Sequence, residues 1–122
     1  MNLRRQADSF RYAFQGIADL IRTQPNTWIH SGISLVVVGA GLYFGLSRLE
    51  WVAITLCIAV VFALEAMNTA LEYLTDLVSP GYHPLAGKAK DVAAAAVLLA
   101  AFGAAAVGLL IFGPKLVAWF QG

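Results

Sequence analysis

The sequence predicts an all-α integral membrane protein with three transmembrane helices that follow a helix on the membrane surface. Hydrophobic residues make up 60% of the 122 residues, and charged residues make up only 12%. A typical soluble protein is about 25% charged, and a chain this short cannot bury so much apolar surface within itself. A lipid bilayer is therefore the solvent that this composition favours.

Three apolar segments are long enough to cross the membrane, because a hydrocarbon core of ~30 Å needs about 20 helical residues. We predict transmembrane helices over residues 28–47, 51–78 and 88–113. The second segment is predicted to stop at Ser79-Pro80-Gly81 and the third at Gly113-Pro114, since proline interrupts helical hydrogen bonding. All of these elements belong to one domain, residues 1–122.

A surface helix is predicted over residues 8–23. Apolar side chains recur there at steps of three and four residues from Phe10 to Ile21, while charged residues such as Arg11 and Asp19 fall mostly elsewhere. An amphipathic helix of this kind lies along the cytoplasmic face of a membrane. The pattern is compatible with a simple anchor and with a direct functional role.

The loop charges predict the orientation of the chain. Six of the eight basic residues fall on one side of the predicted membrane: Arg4, Arg5, Arg11, Arg22, Lys88 and Lys90. Only Arg48 and Lys115 fall on the other side, so the N-terminus is predicted inside and the C-terminus outside. The net charge of +1 indicates no nucleic-acid partner.

Four polar residues interrupt the second predicted span, and we refer to them as the acidic strip: Glu65, Asn68, Glu72 and Asp76. Their spacings of three, four and four residues place them on one side of a helix. An ionised group at the centre of a bilayer costs about 2.5–3.5 kcal/mol. These side chains should therefore face a partner helix, a cation or water rather than lipid.

The acidic strip is predicted to run from the membrane interior to the cytoplasmic surface. Glu65 lies about 21 Å along the helix from the outer interface at Trp51, and Asp76 lies about 16 Å further on, among the lipid headgroups. Such a site could bring a lipid hydroxyl together with a water-soluble reactant.

The segment YHPLAGKAKD, residues 82–91, contributes complementary charges beside the acidic strip. Lysines next to carboxylates suit a polyphosphate, whose oxygens need both cationic side chains and Mg²⁺. Lys88 and Lys90 could also be simple anchors on the positively charged side of the membrane. The neighbouring carboxylates favour the functional interpretation.

Other motifs are incomplete. A phosphate-binding loop would need glycine where Tyr82 stands and a hydroxyl residue where Ala89 stands. His30 and His83 lack metal-ligand spacing, and Cys57 lies in an apolar run, where a packed thiol is expected.

Small residues on the first and third spans predict close helix packing. They are Gly41, Gly45, Ala93, Ala96, Ala100 and Ala104. The main alternative to an enzyme is a proton or cation pathway, which acidic residues in a membrane helix can also form. Such a pathway would need polar residues through the outer half of the membrane, where residues 51–64 offer only Thr55 and Cys57.

Two motifs resemble the small prokaryotic diacylglycerol kinase family, which includes undecaprenol kinases. They are EAMNTALEYLTD, residues 65–76, and SPGYHPLAGKAKDVAAAAVLL, residues 79–99, with weaker support from RYAFQGI, residues 11–17. The resemblance implies MgATP-dependent phosphorylation of a lipid alcohol in the bacterial cytoplasmic membrane. It also implies a homotrimer with active sites between subunits.

The resemblance also implies roles for single residues. Glu65 matches the general base, and Glu72 matches a metal-binding carboxylate helped by Asn68. The positions that match the nucleotide site are Arg5, Tyr12, Asn68, Asp76, His83, Lys90 and Asp91.

Two positions depart from the family pattern. Gln24 stands where a second metal-binding glutamate is usual, and a neutral amide donates less charge to a cation. Gly81 stands where an acidic residue is common near the adenine. The string SPGYHPLA is closer to the undecaprenol kinase branch, although diacylglycerol remains an alternative substrate.

Overall fold

The computed structural model describes residues 2–122, and this part of the chain folds into four α-helices. They are α1 (Leu3–Thr23), α2 (Pro25–Phe44), α3 (Arg48–Val78) and α4 (Pro84–Gln121). Three of them, α2, α3 and α4, are long and apolar enough to cross a membrane. The prediction of an all-helical chain with three spans is thus confirmed.

All four helices begin three to five residues before their predicted starts, and α2 ends at Phe44 rather than at residue 47. α1 starts at Leu3 rather than near residue 8, because the side chain of Asn2 caps it and accepts a hydrogen bond from the Arg4 amide at 3.1 Å. α2 starts at Pro25, where proline fits the first turn because its missing N–H would have no partner in the helix. The indole of Trp28 also donates to the Ile21 carbonyl at 2.9 Å, which joins the two helices.

α3 has well-defined ends. Ser47 and Glu50 form a reciprocal capping box at its N-terminus, with hydrogen bonds of 3.2 and 2.9 Å. Its last residue is Val78, and Ser79 follows as the C-cap, at the place where the Ser-Pro-Gly sequence was predicted to stop it.

The prediction that the last helix ends at Gly113-Pro114 was wrong. α4 continues through Pro114 to Gln121. Two contacts beyond the proline hold this end in place: Lys115 pairs with Glu50 at 3.2 Å, and Trp119 donates to the Tyr43 hydroxyl at 3.2 Å.

α3 is the central helix, and α4 packs along it far more extensively than α1 or α2 does. Among the described residues, the buried apolar side chains are few: Leu20, Ile54, Val61 and Ala93. Three polar residues are equally buried, namely Thr27, Glu65 and Thr69. Large apolar side chains instead cover the outside of the bundle, as expected where lipid is the solvent.

The two glycines at the end of α2 have different roles. A Cβ at Gly41 would lie 2.7 Å from the ring of Trp51, so this glycine allows the close packing that was predicted. Gly45 has nothing within 4 Å of such a Cβ, and its φ is 72°. The prediction that Gly45 serves helix packing was therefore wrong; it ends α2 in the left-handed conformation that favours glycine.

Candidate active site

The centre of the site is a pair of side chains from two helices. Glu65 on α3 is only 5% exposed, and its Oε1 pairs with Nδ1 of His30 on α2. The two residues are 35 positions apart in the sequence. The interior carboxylate thus has a partner helix, as the acidic strip predicted, although the partner residue was not anticipated.

A polar cavity of about 250 Å³ surrounds this pair. Its polar lining comes from the start of α2 and the middle of α3: Gln24, Asn26, Thr27, His30, Glu65, Asn68 and Thr69. Ala94, Val97, Leu98 and Ala101 of α4 close the other side.

Three buried oxygens among the described residues have no hydrogen-bond partner: Thr27 Oγ1, Glu65 Oε2 and Asn68 Oδ1. All three residues line the polar cavity. A buried polar atom without a partner costs about 1–3 kcal/mol. Their concentration around one cavity indicates a binding site for a ligand that carries hydrogen-bond donors or a cation.

An apolar cavity of about 260 Å³ lies next to the polar one. The two share His30 and Ala101, and most of the other lining residues of the apolar cavity are aliphatic, including Ile33, Ile54 and Val61. The adjoining cavities therefore place apolar walls on one side of the His30–Glu65 pair and polar groups on the other. This is a suitable arrangement for a molecule with a hydrocarbon chain and a polar end.

The C-terminal end of α3 carries the rest of the acidic strip. Asn68 donates to Glu72 Oε1 at 3.3 Å. One turn further on, Asp76 pairs with Lys90 of α4 at 2.5 Å, and both side chains are partly open to solvent. The structure thus brings Lys90 to the acidic strip, as charge complementarity predicted.

The other residues predicted for nucleotide binding are more scattered. His83 is exposed and caps α4, since its Nδ1 accepts a hydrogen bond from the Leu85 amide at 3.1 Å. Asp91 lies exposed near the start of α4, and Arg5 and Tyr12 lie exposed on α1. Within residues 2–122, no side-chain hydrogen bond or ion pair links Arg5 or Tyr12 to the acidic strip. Their roles stay predictions.

The proposed metal ligands lie around one end of the polar cavity. Gln24 and Asn68 both line it, and Asn68 bonds to Glu72. In the part of the chain that is described, no three His, Cys, Asp or Glu side chains group closely enough to hold a metal ion. The donors here are one carboxylate and two amides, so a cation would need further ligands from a substrate.

The sequence did not reveal two contacts that build the site. The contact of His30 is not predicted by the spacing of the two histidines, although a histidine inside an apolar span itself indicates a polar partner. The second contact is made by Tyr73, whose hydroxyl donates to Asp19 of α1 at 2.7 Å and so joins α1 to α3 near the acidic strip.

The fold and this site define a multi-pass membrane protein with a buried carboxylate beside two adjoining cavities. The family model "Prokaryotic diacylglycerol kinase" matches residues 11–112. The chain belongs to this family, and the resemblance of its two motifs is thereby confirmed.

Several relatives are lipid kinases by name. An undecaprenol kinase of Bacillus subtilis is 43% identical over 114 residues, which cover 93% of both chains. A diacylglycerol kinase of Synechocystis is 42% identical over 89% of this chain and 63% of its own length. A diacylglycerol kinase of Haemophilus influenzae is 25% identical over 76% of this chain and 79% of its own. The prediction of a lipid kinase is supported.

Proposed function

We propose that this protein transfers the γ-phosphate of ATP to the hydroxyl of a membrane lipid, with undecaprenol as the first candidate and diacylglycerol as the second. The observation that carries the proposal is the buried carboxylate of Glu65, which lies where a polar and an apolar cavity adjoin. The similarity to the undecaprenol kinase over nearly the full length of both chains favours the polyprenol.

In the proposed reaction, Glu65 acts as the general base. The lipid hydroxyl donates a hydrogen bond to Glu65 Oε2, the buried oxygen that has no partner among the described residues. As the lipid oxygen attacks the γ-phosphorus, its proton passes to the carboxylate, and the bond from phosphorus to the β–γ bridging oxygen breaks to leave ADP. A positioned base typically contributes about 10²–10⁴-fold to such a rate.

Mg²⁺ fits the donors present only if ATP supplies the remaining ligands. The proposed protein ligands are Glu72, Asn68 and Gln24, all oxygen donors of the kind that Mg²⁺ prefers. The partnerless amide oxygen of Asn68 supports this assignment. The ion would neutralise charge that develops on the transferred phosphoryl group.

The proposed nucleotide site lies at the cytoplasmic end of α3 and the start of α4. Lys90, held by Asp76, is suited to a phosphate oxygen because its ammonium is a compact charge with three donors. His83 precedes α4 as its N-cap, and Asp91 lies exposed near the start of the same helix. Arg5 and Tyr12 would reach the nucleotide from α1, which we propose lies amphipathically on the cytoplasmic surface.

The orientation and assembly belong to the same proposal. With the N-terminus in the bacterial cytoplasm and the C-terminus outside, the proposed ATP ligands face the compartment that holds ATP. A homotrimer would shelter the polar cavity, which a single thin bundle leaves partly open. The alternative of a proton or cation pathway is not favoured, because the apolar cavity beyond His30 offers few polar groups.

The test is a transfer assay with purified protein in lipid bilayers, radiolabelled ATP, Mg²⁺ and either undecaprenol or diacylglycerol. Substitution of Glu65→Gln should lower kcat by about 10²–10⁴-fold, the contribution expected of a general base. Glu50→Gln is the matched control, since Glu50 lies on the same helix but pairs with Lys115 away from the site. Glutamine also keeps the capping box.

The lipid that becomes labelled identifies the substrate class. No transfer to either lipid by the wild-type protein would contradict the proposed function. Wild-type rates in Glu65→Gln would contradict the assignment of the base alone.

A further inference from the structure

We propose that His30 is a positioning residue for the reaction: it holds Glu65 so that the second carboxylate oxygen is left for the lipid hydroxyl. The inference rests on the proposed function of Glu65. It goes beyond that function, because it assigns a role to a residue of a different helix that neither the motifs nor the metal and nucleotide assignments include.

The two oxygens of Glu65 have different surroundings. Oε1 pairs with Nδ1 of His30, whereas Oε2 is buried and has no partner in the described chain. A neutral imidazole with its proton on Nδ1 donates to Oε1 and leaves the negative carboxylate able to accept a second hydrogen bond at Oε2. The imidazole therefore holds one carboxylate oxygen, Oε1, and leaves the other, Oε2, available to the lipid hydroxyl.

A glutamate needs such a constraint more than most bases. Its side chain has several rotatable bonds, and a misplacement of about 1 Å can cost roughly 100-fold in rate. Hydrogen bonds to an ionised group are strong and directional where water is excluded. His30 lines both cavities, and its side chain is 22% exposed, so its hydrogen bond to Glu65 lies largely out of solvent.

The same pair allows a second arrangement. A carboxylate bonded to Nδ1 of histidine is also the geometry in which a carboxylate orients the imidazole and Nε2 takes the proton. The two arrangements predict opposite effects on activity when an amide side chain replaces the imidazole of His30. An asparagine N–H can replace Nδ1–H as a donor to Glu65, but no amide can replace Nε2 as a proton acceptor at neutral pH.

The test compares His30→Ala, His30→Asn and His30→Gln in bilayers, with the lipid that the wild-type protein phosphorylates. We expect His30→Ala to lower kcat by about 100-fold, the cost of a misplaced reacting group. The KM for ATP should change less than about 2-fold, because the interaction acts on the lipid hydroxyl and not on nucleotide binding. Ser31→Ala, next in sequence and outside both cavities, is the matched control and should keep the wild-type kcat.

Recovery of kcat by a side chain that keeps the hydrogen-bond donor distinguishes a positioning role of His30 from a merely structural one. His30→Asn should recover at least about 10-fold of the kcat lost in His30→Ala, because its amide donor lies close to the place of Nδ1. His30→Gln should recover less, since its amide lies near the place of Nε2. The Asn and Gln variants still decide the matter if His30→Ala does not fold.

Three results would overturn the inference: a kcat of His30→Ala within about 3-fold of wild type, an increase in the KM for ATP with kcat unchanged, or His30→Asn no more active than His30→Gln. The last result would favour proton transfer to Nε2. An inactive wild-type protein would instead contradict the proposed function, which keeps the two failures distinct.

Discussion

At the scale of single residues, the free-energy cost of a carboxylate inside the membrane explains why Glu65 has a hydrogen-bond partner. An ionised side chain there costs about 2.5–3.5 kcal/mol, and Glu65 is 5% exposed. One of its oxygens is satisfied by His30 and the other is not. The protein thus retains a strong hydrogen-bond acceptor in a place that water does not occupy freely, which is what a base for a lipid hydroxyl requires.

Gln24 provides a residue-scale prediction about the metal. Gln24→Glu should lower the Mg²⁺ concentration for half-maximal activity by about 3–10-fold, because a carboxylate attracts the cation more strongly than an amide. A Mg²⁺ titration at fixed ATP measures this. Asn26→Asp, which adds a charge to the same cavity, is the control. It should change the Mg²⁺ concentration for half-maximal activity less than about 2-fold. An unchanged Mg²⁺ concentration for half-maximal activity in Gln24→Glu would mean that position 24 is not a metal ligand.

Lys88 and Lys90, near the start of α4, allow a second residue-scale prediction. Lys90→Ala should raise the KM for ATP by about 10-fold, since one lost phosphate contact is worth roughly 1.4 kcal/mol. Lys88→Ala is the matched control, because Lys88 is exposed and forms no ion pair in the described residues. Steady-state kinetics with ATP varied measures both. Equal effects of the two substitutions on the KM for ATP would indicate that the lysines are only membrane anchors.

At the scale of elements, helix ends position the site. The turn from α1 into α2 places Gln24 and Thr27 beside the polar cavity, and Tyr73 holds α1 against α3 through Asp19. At the other end, α2 turns into α3 through Gly45, whose positive φ reverses the chain within three residues of the α3 start at Arg48. This turn lets α2 run back along α3, where His30 meets Glu65.

Gly45→Ala is the element-scale prediction. It should lower the free energy of unfolding by about 1 kcal/mol, because a Cβ is strained in the left-handed conformation. Gly39→Ala is the control: it lies within α2, where an added Cβ has nothing within 4 Å, so no loss of stability is expected. Unfolding by a denaturing detergent in mixed micelles measures both variants. Equal stability of the two would contradict the role assigned to Gly45.

At the scale of the whole molecule, the bundle is thin and its apolar side chains face outward. Among the described residues, Glu65, Thr27 and Thr69 are buried as deeply as the four apolar residues of the core, so the sheltered region is partly polar. Both cavities adjoining this region are open to the surroundings of a single chain. Association with further copies would enclose them and exclude water from the reacting groups.

The expected assembly is a homotrimer of the 13.0 kDa chain. Native mass spectrometry of the protein released from lipid nanodiscs measures the number of chains directly. Limited chemical cross-linking in native membranes is the control for dissociation during release. A monomer or dimer in both measurements would contradict the trimer.

Much of the protein follows from the sequence. Composition and the length of three apolar runs determined the spans, because a bilayer accepts only helices of that length and character in a chain of this kind. A spacing of 3.6 residues per turn determined that the residues from Glu65 to Asp76 share a face. Charge complementarity anticipated the contact between Asp76 and Lys90.

Only the tertiary structure decided which groups meet across helices. His30 and Glu65 are 35 residues apart, and no local periodicity relates two helices, since their rotation and offset depend on packing along their whole length. The same applies to α4, which continues through Pro114 because Tyr43 and Glu50 hold its far end. The sequence alone determined that a carboxylate lies in the membrane; packing decided that one of its oxygens is held by a histidine and the other is left free.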